Sequence, residues 1–404
     1  MGGRPAKSEY ANHWGLDPEI TFLNHGSFGA CPTAVLEYQT ELRKRLESEP
    51  VRFFEHECLP LWQEALDSIS EFLNADPDGM TFQNNATGGV NAVLRSLQFE
   101  PGDEIIVPDH SYQACWNAID HVARRWDAKI VIVEIPFRLE DEDQVVELIL
   151  QAVTSRTKLA LIDTVTSPTG IRLPYEVLVN ELQSRGVDVL LDAAHGPGIV
   201  PLDLSSLDAA YVAGNCHKWL CTPKGSAFLH IREDKKAEIK PISISHGYSA
   251  DLPPQEKFRF EFDWPGTQDP SPWLCIPYAI KYLDGMVNGG WPAILERNRN
   301  LALYGRDLMC EALGAEPPTP DSMVASLAAV EISGGPHLKP VAVSEVPLDG
   351  VLQLRRVCRA QVDADVGREP VAAAVPVAGI WRHHAIIGTA SVTVGLGLEV
   401  APDP

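Results

Sequence analysis

Residues 187–195 read Val187-Asp188-Val189-Leu190-Leu191-Asp192-Ala193-Ala194-His195. An apolar run ends in an acid, and a histidine follows three residues later. Comparable β-rich runs stand at Met80–Gln83, Glu104–Val107, Lys129–Ile135, Thr157–Asp163, Ala209–Ala213 and Ser226–Ile231. Amphipathic stretches lie between most of them, among them Gln113–Arg125, Asp143–Val153 and Tyr175–Arg185. Strand–helix alternation of this kind predicts an α/β fold: a mostly parallel seven-stranded sheet flanked by helices. In such sheets ligands bind outside the carboxyl ends of the strands, so Asp192 is placed to face a bound group. Taken alone, it reads more simply as a strand-end acid that caps a loop.

Two further stretches carry chemistry. Gly214-Asn215-Cys216-His217-Lys218-Trp219-Leu220 follows another apolar run. A lysine between histidine and tryptophan beside a buried strand is desolvated, and desolvation lowers an amine's pKa and makes it a usable nucleophile. The other reading of Lys218 is a solvated turn residue. Asn84-Asn85-Ala86-Thr87-Gly88-Gly89 leads into a helical pattern at Val93, Leu94 and Leu97. A helix start rich in small residues exposes N–H groups and a hydroxyl, which suits a phosphate. Thr87 is otherwise a helix cap.

In combination these stretches are far more specific: a phosphate turn, then Asp-x-x-His at a strand end, then His-Lys, with Lys218 falling 26 residues after Asp192. With Leu23-Asn24-His25-Gly26-Ser27-Phe28-Gly29, Thr166-Ser167-Pro168-Thr169-Gly170 and Trp264-Pro265-Gly266-Thr267, the chain resembles the class V aminotransferases of pyridoxal 5′-phosphate (PLP) fold type I. The match is nearest to their isopenicillin N epimerase-like branch and covers about residues 20–310.

The resemblance implies the PLP-dependent transferase fold, with a smaller α+β domain beside the sheet. It implies that Lys218 bonds the cofactor through its amine and that Asp192 keeps the pyridine nitrogen protonated. His195 then lies beside the ring, Tyr112 stacks over it, and Thr87 with the Ala86 and Gly88 backbone and His217 holds the phosphate. Thr267 contacts the phosphate of a neighbouring subunit, which implies a homodimer. Asn24 and His25 are candidate substrate contacts. The plainer readings are a satisfied buried histidine for His195, helix packing for Tyr112, a turn residue for Thr267 and a structural loop for Asn24 and His25.

The expected division is an N-terminal arm over 1–32, a large cofactor domain over 33–285 and a small C-terminal domain over 286–404. The arm segment 23–29 reads as loop, because two glycines with Asn and Ser disfavour a regular element. Helical patterns are expected over about 33–48 and 59–74, and again from Trp273 to about 313. From about 340 the tail departs from the family pattern. Arg355, Arg356, Arg359 and Arg382 do not sit in the segment where relatives carry a carboxylate-binding arginine. Val371–Val377 and Ile386–Val394 are weakly patterned and receive no fold.

The formal net charge of −22 repels phosphate backbones and anionic lipid, which argues against nucleic acid and membrane surfaces as partners. No apolar run reaches the roughly 18–20 residues of a membrane span. The polar stretch Met1–Trp14 predicts no signal peptide. Eight scattered cysteines, none at CxxC spacing, give no metal motif and suit a reduced cytoplasmic protein. The expected activity is PLP chemistry at the α-carbon of a small amino-acid or peptide substrate. The leading reading is inversion of the L-aminoadipyl side chain of isopenicillin N, in antibiotic biosynthesis, with Lys218 on one face and Tyr112 or a water on the other. The alternatives are a C–S lyase, a cysteine desulfurase using Cys358, or a PLP-binding protein without turnover.

Overall fold

The computed structural model describes residues 8–20, 22–332 and 390–395. Arg355, Arg356, Cys358, Arg359 and Arg382 lie outside the described residues, as does Val371–Val377. The seven strands of the main sheet are β1 (Met80–Gln83), β2 (Glu104–Pro108), β3 (Lys129–Val133), β4 (Thr157–Asp163), β5 (Asp188–Ala193), β6 (Tyr211–Asn215) and β7 (Ala227–Ile231). Their order is β1-β7-β6-β5-β4-β2-β3. The ladders from β6 through β5, β4 and β2 to β3 are parallel, while β7 runs antiparallel to both of its neighbours. The mostly parallel seven-stranded sheet expected from the sequence is therefore present.

Both faces of the sheet are buried at its central strands, which explains why those strands read as continuous apolar runs. Leu159, Leu161 and Leu190 point to one core, and Ala160, Ile162 and Leu191 to the other. The longer helices are α1 (Thr33–Ser48), α2 (Cys58–Phe72), α3 (Ala86–Ser96), α4 (Gln113–Trp126), α5 (Asp143–Gln151), α6 (Tyr175–Ser184), α7 (Pro254–Asp263), α8 (Ile276–Asp284) and α9 (Gly290–Leu313). Val90, Val93 and Leu94 of α3 pack with Ile119 and Val122 of α4 on one side. Trp62, Leu66 and Ile69 of α2 join Leu178 and Leu182 of α6 on the other.

Two expectations need correction. Segment 23–29 is not wholly loop: His25–Phe28 makes one helical turn. Asn24 caps it, its Oδ1 accepting from the Ser27 N–H at 3.2 Å and the Ser27 hydroxyl at 2.8 Å. Part of the unassigned stretch Ile386–Val394 also belongs to a strand. β8 (Leu327–Ile332) pairs antiparallel with β9 (Ala390–Gly395) as a separate two-stranded sheet. Among the described residues no helix is long and apolar enough to cross a membrane.

Candidate active site

The carboxyl ends of β4, β5 and β6 converge on one point. Lys218 lies just past the end of β6, and its Nζ is 3.0 Å from His195 Nε2. Burial lowers the Lys218 ammonium to about 8, against the opposing pull of the Asp192 carboxylate. The backbone of this turn is held from two directions. The His25 Nε2–H donates to the Lys218 carbonyl at 2.9 Å. Gly29, at φ +70°, comes so close that an added Cβ would lie 2.3 Å from the His217 carbonyl oxygen. Gly198, at φ +88°, does the same to Trp219, at 2.7 Å from its carbonyl oxygen. Only glycine fits positions of this kind.

Asp192, at the end of β5, is 3% exposed. Its Oδ1 accepts the Ala194 N–H at 2.9 Å and its Oδ2 accepts the Cys115 thiol at 3.1 Å. The register of β4 against β5 sets Asp163 directly beside it. Asp163 is fully enclosed, and the Ser111 hydroxyl donates to its Oδ2 at 2.5 Å. Burial first, and then the neighbouring Asp192 charge, push Asp163 well above the ordinary carboxylate range. Two adjacent buried carboxyls cannot both ionise cheaply, and the strain falls on Asp163, whose neutral form is favoured.

His195 is buried between Lys218 and Trp219, and the Trp219 indole Nε1–H donates to its Nδ1 at 3.2 Å. Burial, and then the Lys218 charge, hold it well below the usual imidazole range. Tyr112 occupies the N-cap position of α4, with its side chain 42% exposed. The Thr166–Gly170 stretch closes into a tight loop, in which the Thr166 hydroxyl accepts the Ile171 N–H at 2.9 Å. The Thr169 hydroxyl reaches His110 Nδ1 at 3.1 Å.

The start of α3 differs in detail from the sequence reading. The Ala86 N–H donates to Asn215 Oδ1 at 2.8 Å, and the Gly88 N–H to Asn85 Oδ1 at 2.8 Å. Those two amides are engaged within the fold, and Thr87 between them keeps a first-turn N–H and a hydroxyl for an anion. His217 donates from Nδ1 to the Ser226 carbonyl at 2.8 Å, which leaves Nε2 free. Thr267 is exposed on the bend after α7, apart from this hydrogen-bonded group.

His25 braces the lysine turn. Its Nε2–H is spent on the Lys218 carbonyl, its Nδ1 accepts the Ala30 N–H at 3.4 Å, and burial lowers it to about 4. The Asn24 carbonyl oxygen is likewise committed to Ser27. Sequence reasoning missed Asp163, Asn215, Ser111, Cys115 and the indole of Trp219. Asp163 and Asn215 had a signal, since each closes an apolar strand beside the one that ends in Asp192. Ser111 and Cys115 had none, because only the fold brings them to the two acids.

Lys218, Asp192 and Thr87 give the site a low-pKa amine, a buried carboxylate and a helix start with a free N–H and hydroxyl. That donor set suits an aldehyde-bearing pyridine with a phosphate ester. Among the described residues no group of three or more His, Cys, Asp or Glu side chains could hold a metal ion.

The family model described as "Aminotransferase class-V" matches residues 30–332. Isopenicillin N epimerase of Amycolatopsis lactamdurans is 36% identical over 320 residues, 76% of this chain and 79% of that protein. The Streptomyces clavuligerus enzyme of the same name is 32% identical over 370 residues, 88% and 89% of the two chains. "Probable L-cysteine desulfhydrase, chloroplastic" of Arabidopsis thaliana is 28% identical over 371 residues, 87% and 74% of the two chains. Among solved structures, C-DES carrying glycine linked to its PLP cofactor superposes with a TM-score of 0.66, at 22% identity over 78% of this chain and 84% of that one. The chain belongs to the class V aminotransferases, and its fold is PLP fold type I. It is a PLP-dependent enzyme of that family.

Proposed function

We propose that this enzyme is an epimerase that inverts the α-carbon of an aminoadipyl side chain, converting the L form to the D form in an isopenicillin N-type substrate. The observation that carries the reading is the 36% identity to an isopenicillin N epimerase over 76% of the chain, against 28% for a cysteine desulfhydrase. Bound PLP draws electrons from the substrate α-carbon into its protonated pyridine ring and so acidifies the α-hydrogen.

The protein's part is to hold groups and move protons. Lys218 would hold the cofactor through its amine and would take the α-proton at Nζ, and its depressed pKa raises the share of neutral amine this needs. Asp192 holds the pyridine proton, with its oxygens oriented by the Ala194 amide and the Cys115 thiol. His195 would lie against the ring, and Thr87 with His217 would seat the phosphate. Tyr112, exposed at the start of α4, delivers a proton to the opposite face, directly or through a water. Thr267 completes the phosphate seat of a second subunit in a homodimer. The acidic chain and its scattered cysteines fit the cytoplasm.

The test incubates the full-length holoenzyme with isopenicillin N in deuterated water, followed by chiral chromatography and mass spectrometry. An epimerase yields the D-configured aminoadipyl isomer with one α-deuterium and an otherwise intact substrate. Exchange without inversion, or no exchange, overturns the reading. A second reading, C–S lyase chemistry, is favoured by the 28% identity to the desulfhydrase over 87% of the chain. It predicts pyruvate and sulfide from cysteine under the same conditions.

A further inference from the structure

The hydrogen bond from Trp219 to His195 constrains more than position. An indole nitrogen only donates, so a 3.2 Å contact from Trp219 Nε1 makes His195 Nδ1 an acceptor. A neutral imidazole with an accepting Nδ1 carries its proton on Nε2. That N–H points at Lys218 Nζ, 3.0 Å away, so the bond forms only if Nζ accepts, and an amine accepts only when uncharged. An ammonium there would set donor against donor. An imidazolium would turn a second N–H toward the indole. One arrangement satisfies all three residues: indole N–H to Nδ1, and Nε2–H to the lone pair of a neutral amine.

The groups around Lys218 make this contest real. Asp192 on β5 favours the ammonium by its charge. Both of its oxygens already accept a bond, from Ala194 and from Cys115 of α4. Asp163 on β4 is pushed by burial and by the Asp192 charge toward its neutral form. His25 bonds the carbonyl of Lys218, not its amine. The short helical turn at 25–28 closes the remaining side, where a Cβ on Gly26 would come within 3.2 Å of both His195 Cε1 and the Trp219 ring. On this side the His195 ring is confined by close packing.

We propose that Trp219 is a positioning residue that locks His195 in its Nε2-protonated tautomer and thereby favours the neutral, nucleophilic form of the Lys218 amine. This rests on Lys218 being the cofactor lysine, and it assigns a role to the indole N–H rather than to the bulk of the ring.

The test uses the full-length protein stripped of cofactor with hydroxylamine. Competitive acetylation across a pH series, read peptide by peptide by mass spectrometry, gives the titration midpoint of Lys218. Three proteins are compared: wild type, Trp219→Phe, and a semisynthetic form with benzothienylalanine at 219, which keeps the indole shape without the N–H. The wild-type midpoint is expected near 8. In both replacements it rises by about one pH unit, about a tenfold loss of neutral amine at neutral pH, while other lysines do not move. An unchanged Lys218 midpoint in the shape-conserving protein overturns the proposal. Adding PLP and reducing with borohydride checks the underlying reading separately. If no label appears on Lys218 in the wild type, the cofactor assignment fails whatever the acetylation midpoints show.

Discussion

Asp163 and Asp192 close neighbouring strands with the same side chain, yet the fold treats them oppositely. Asp163 favours its neutral form because burial and the adjacent charge raise it, so it costs stability once the pH exceeds the ordinary carboxylate value in the unfolded chain. Asp163→Asn is expected to fold at least as well as wild type at neutral pH, because an amide has the shape of a protonated acid. Thermal melts check this, and a Tm drop of many degrees would contradict the protonated assignment. Asp163→Leu leaves Ser111 without its acceptor and is expected to cost about 1–3 kcal/mol. Two buried histidines carry the opposite pH dependence. Burial lowers both His25 and His230 to about 4, and neither ring nitrogen of His230 has a partner. Each folded value lies below the unfolded one, so this stability is complete above about 6.5 and drains away as the pH falls toward 4. The loss is roughly 3 kcal/mol for each histidine. Melting series between pH 7.5 and 4.5 should show the fall, and His230→Phe should flatten it. At this scale Lys218, Asp192 and His195 stand out in the sequence because chemistry-bearing residues follow apolar runs. Cys115 does not, because a thiol in an amphipathic helix carries no mark of the carboxylate it will meet.

The segments entering the site are tied to one another at their ends. Asn215 closes β6 and takes the first amide of α3, while Asn85 caps the same helix. Asn85→Ala removes an N-cap and is expected to cost about 1 kcal/mol and speed the loss of PLP on dilution. Asn215→Ala strands the buried Ala86 N–H and should cost more, about 1–3 kcal/mol. Retention of the cofactor after gel filtration reads both. Gly29 is the harder constraint. Its φ of +70° and ψ of 152° belong to a region open essentially to glycine, and a Cβ would press on the His217 carbonyl. Gly29→Ala is expected to lose roughly 2–4 kcal/mol and to displace the lysine turn. The central strands were legible because burial on both faces makes them uniformly apolar, although β5 runs one residue past the expected Asp192, to Ala193. The helical turn at 25–28 was not, because it depends on capping by Asn24 more than on propensity.

Strand–helix alternation also made the architecture of the whole chain readable from about residue 80 to 231. The partner of β8 was not, because β9 lies some sixty residues further on and its residues are small and weakly patterned. The proposed homodimer predicts a sedimentation mass of twice 44.2 kDa. It also predicts that Thr267→Ala weakens PLP retention without changing the melt of the stripped protein. A monomer that binds PLP fully would refute the shared phosphate seat. The carboxylate-binding arginine has no counterpart in the hydrogen-bonded group around Lys218 among the described residues.

The bond between His25 and the Lys218 carbonyl spans 193 residues. A ribosome adding about 5–20 residues per second needs about 10–40 s to cover that distance. The brace is thus synthesised that long before the turn it grips. The nascent chain can close this contact only once Lys218 has emerged, so the lysine turn gains its brace from a long-range partner rather than from its own neighbours in the chain.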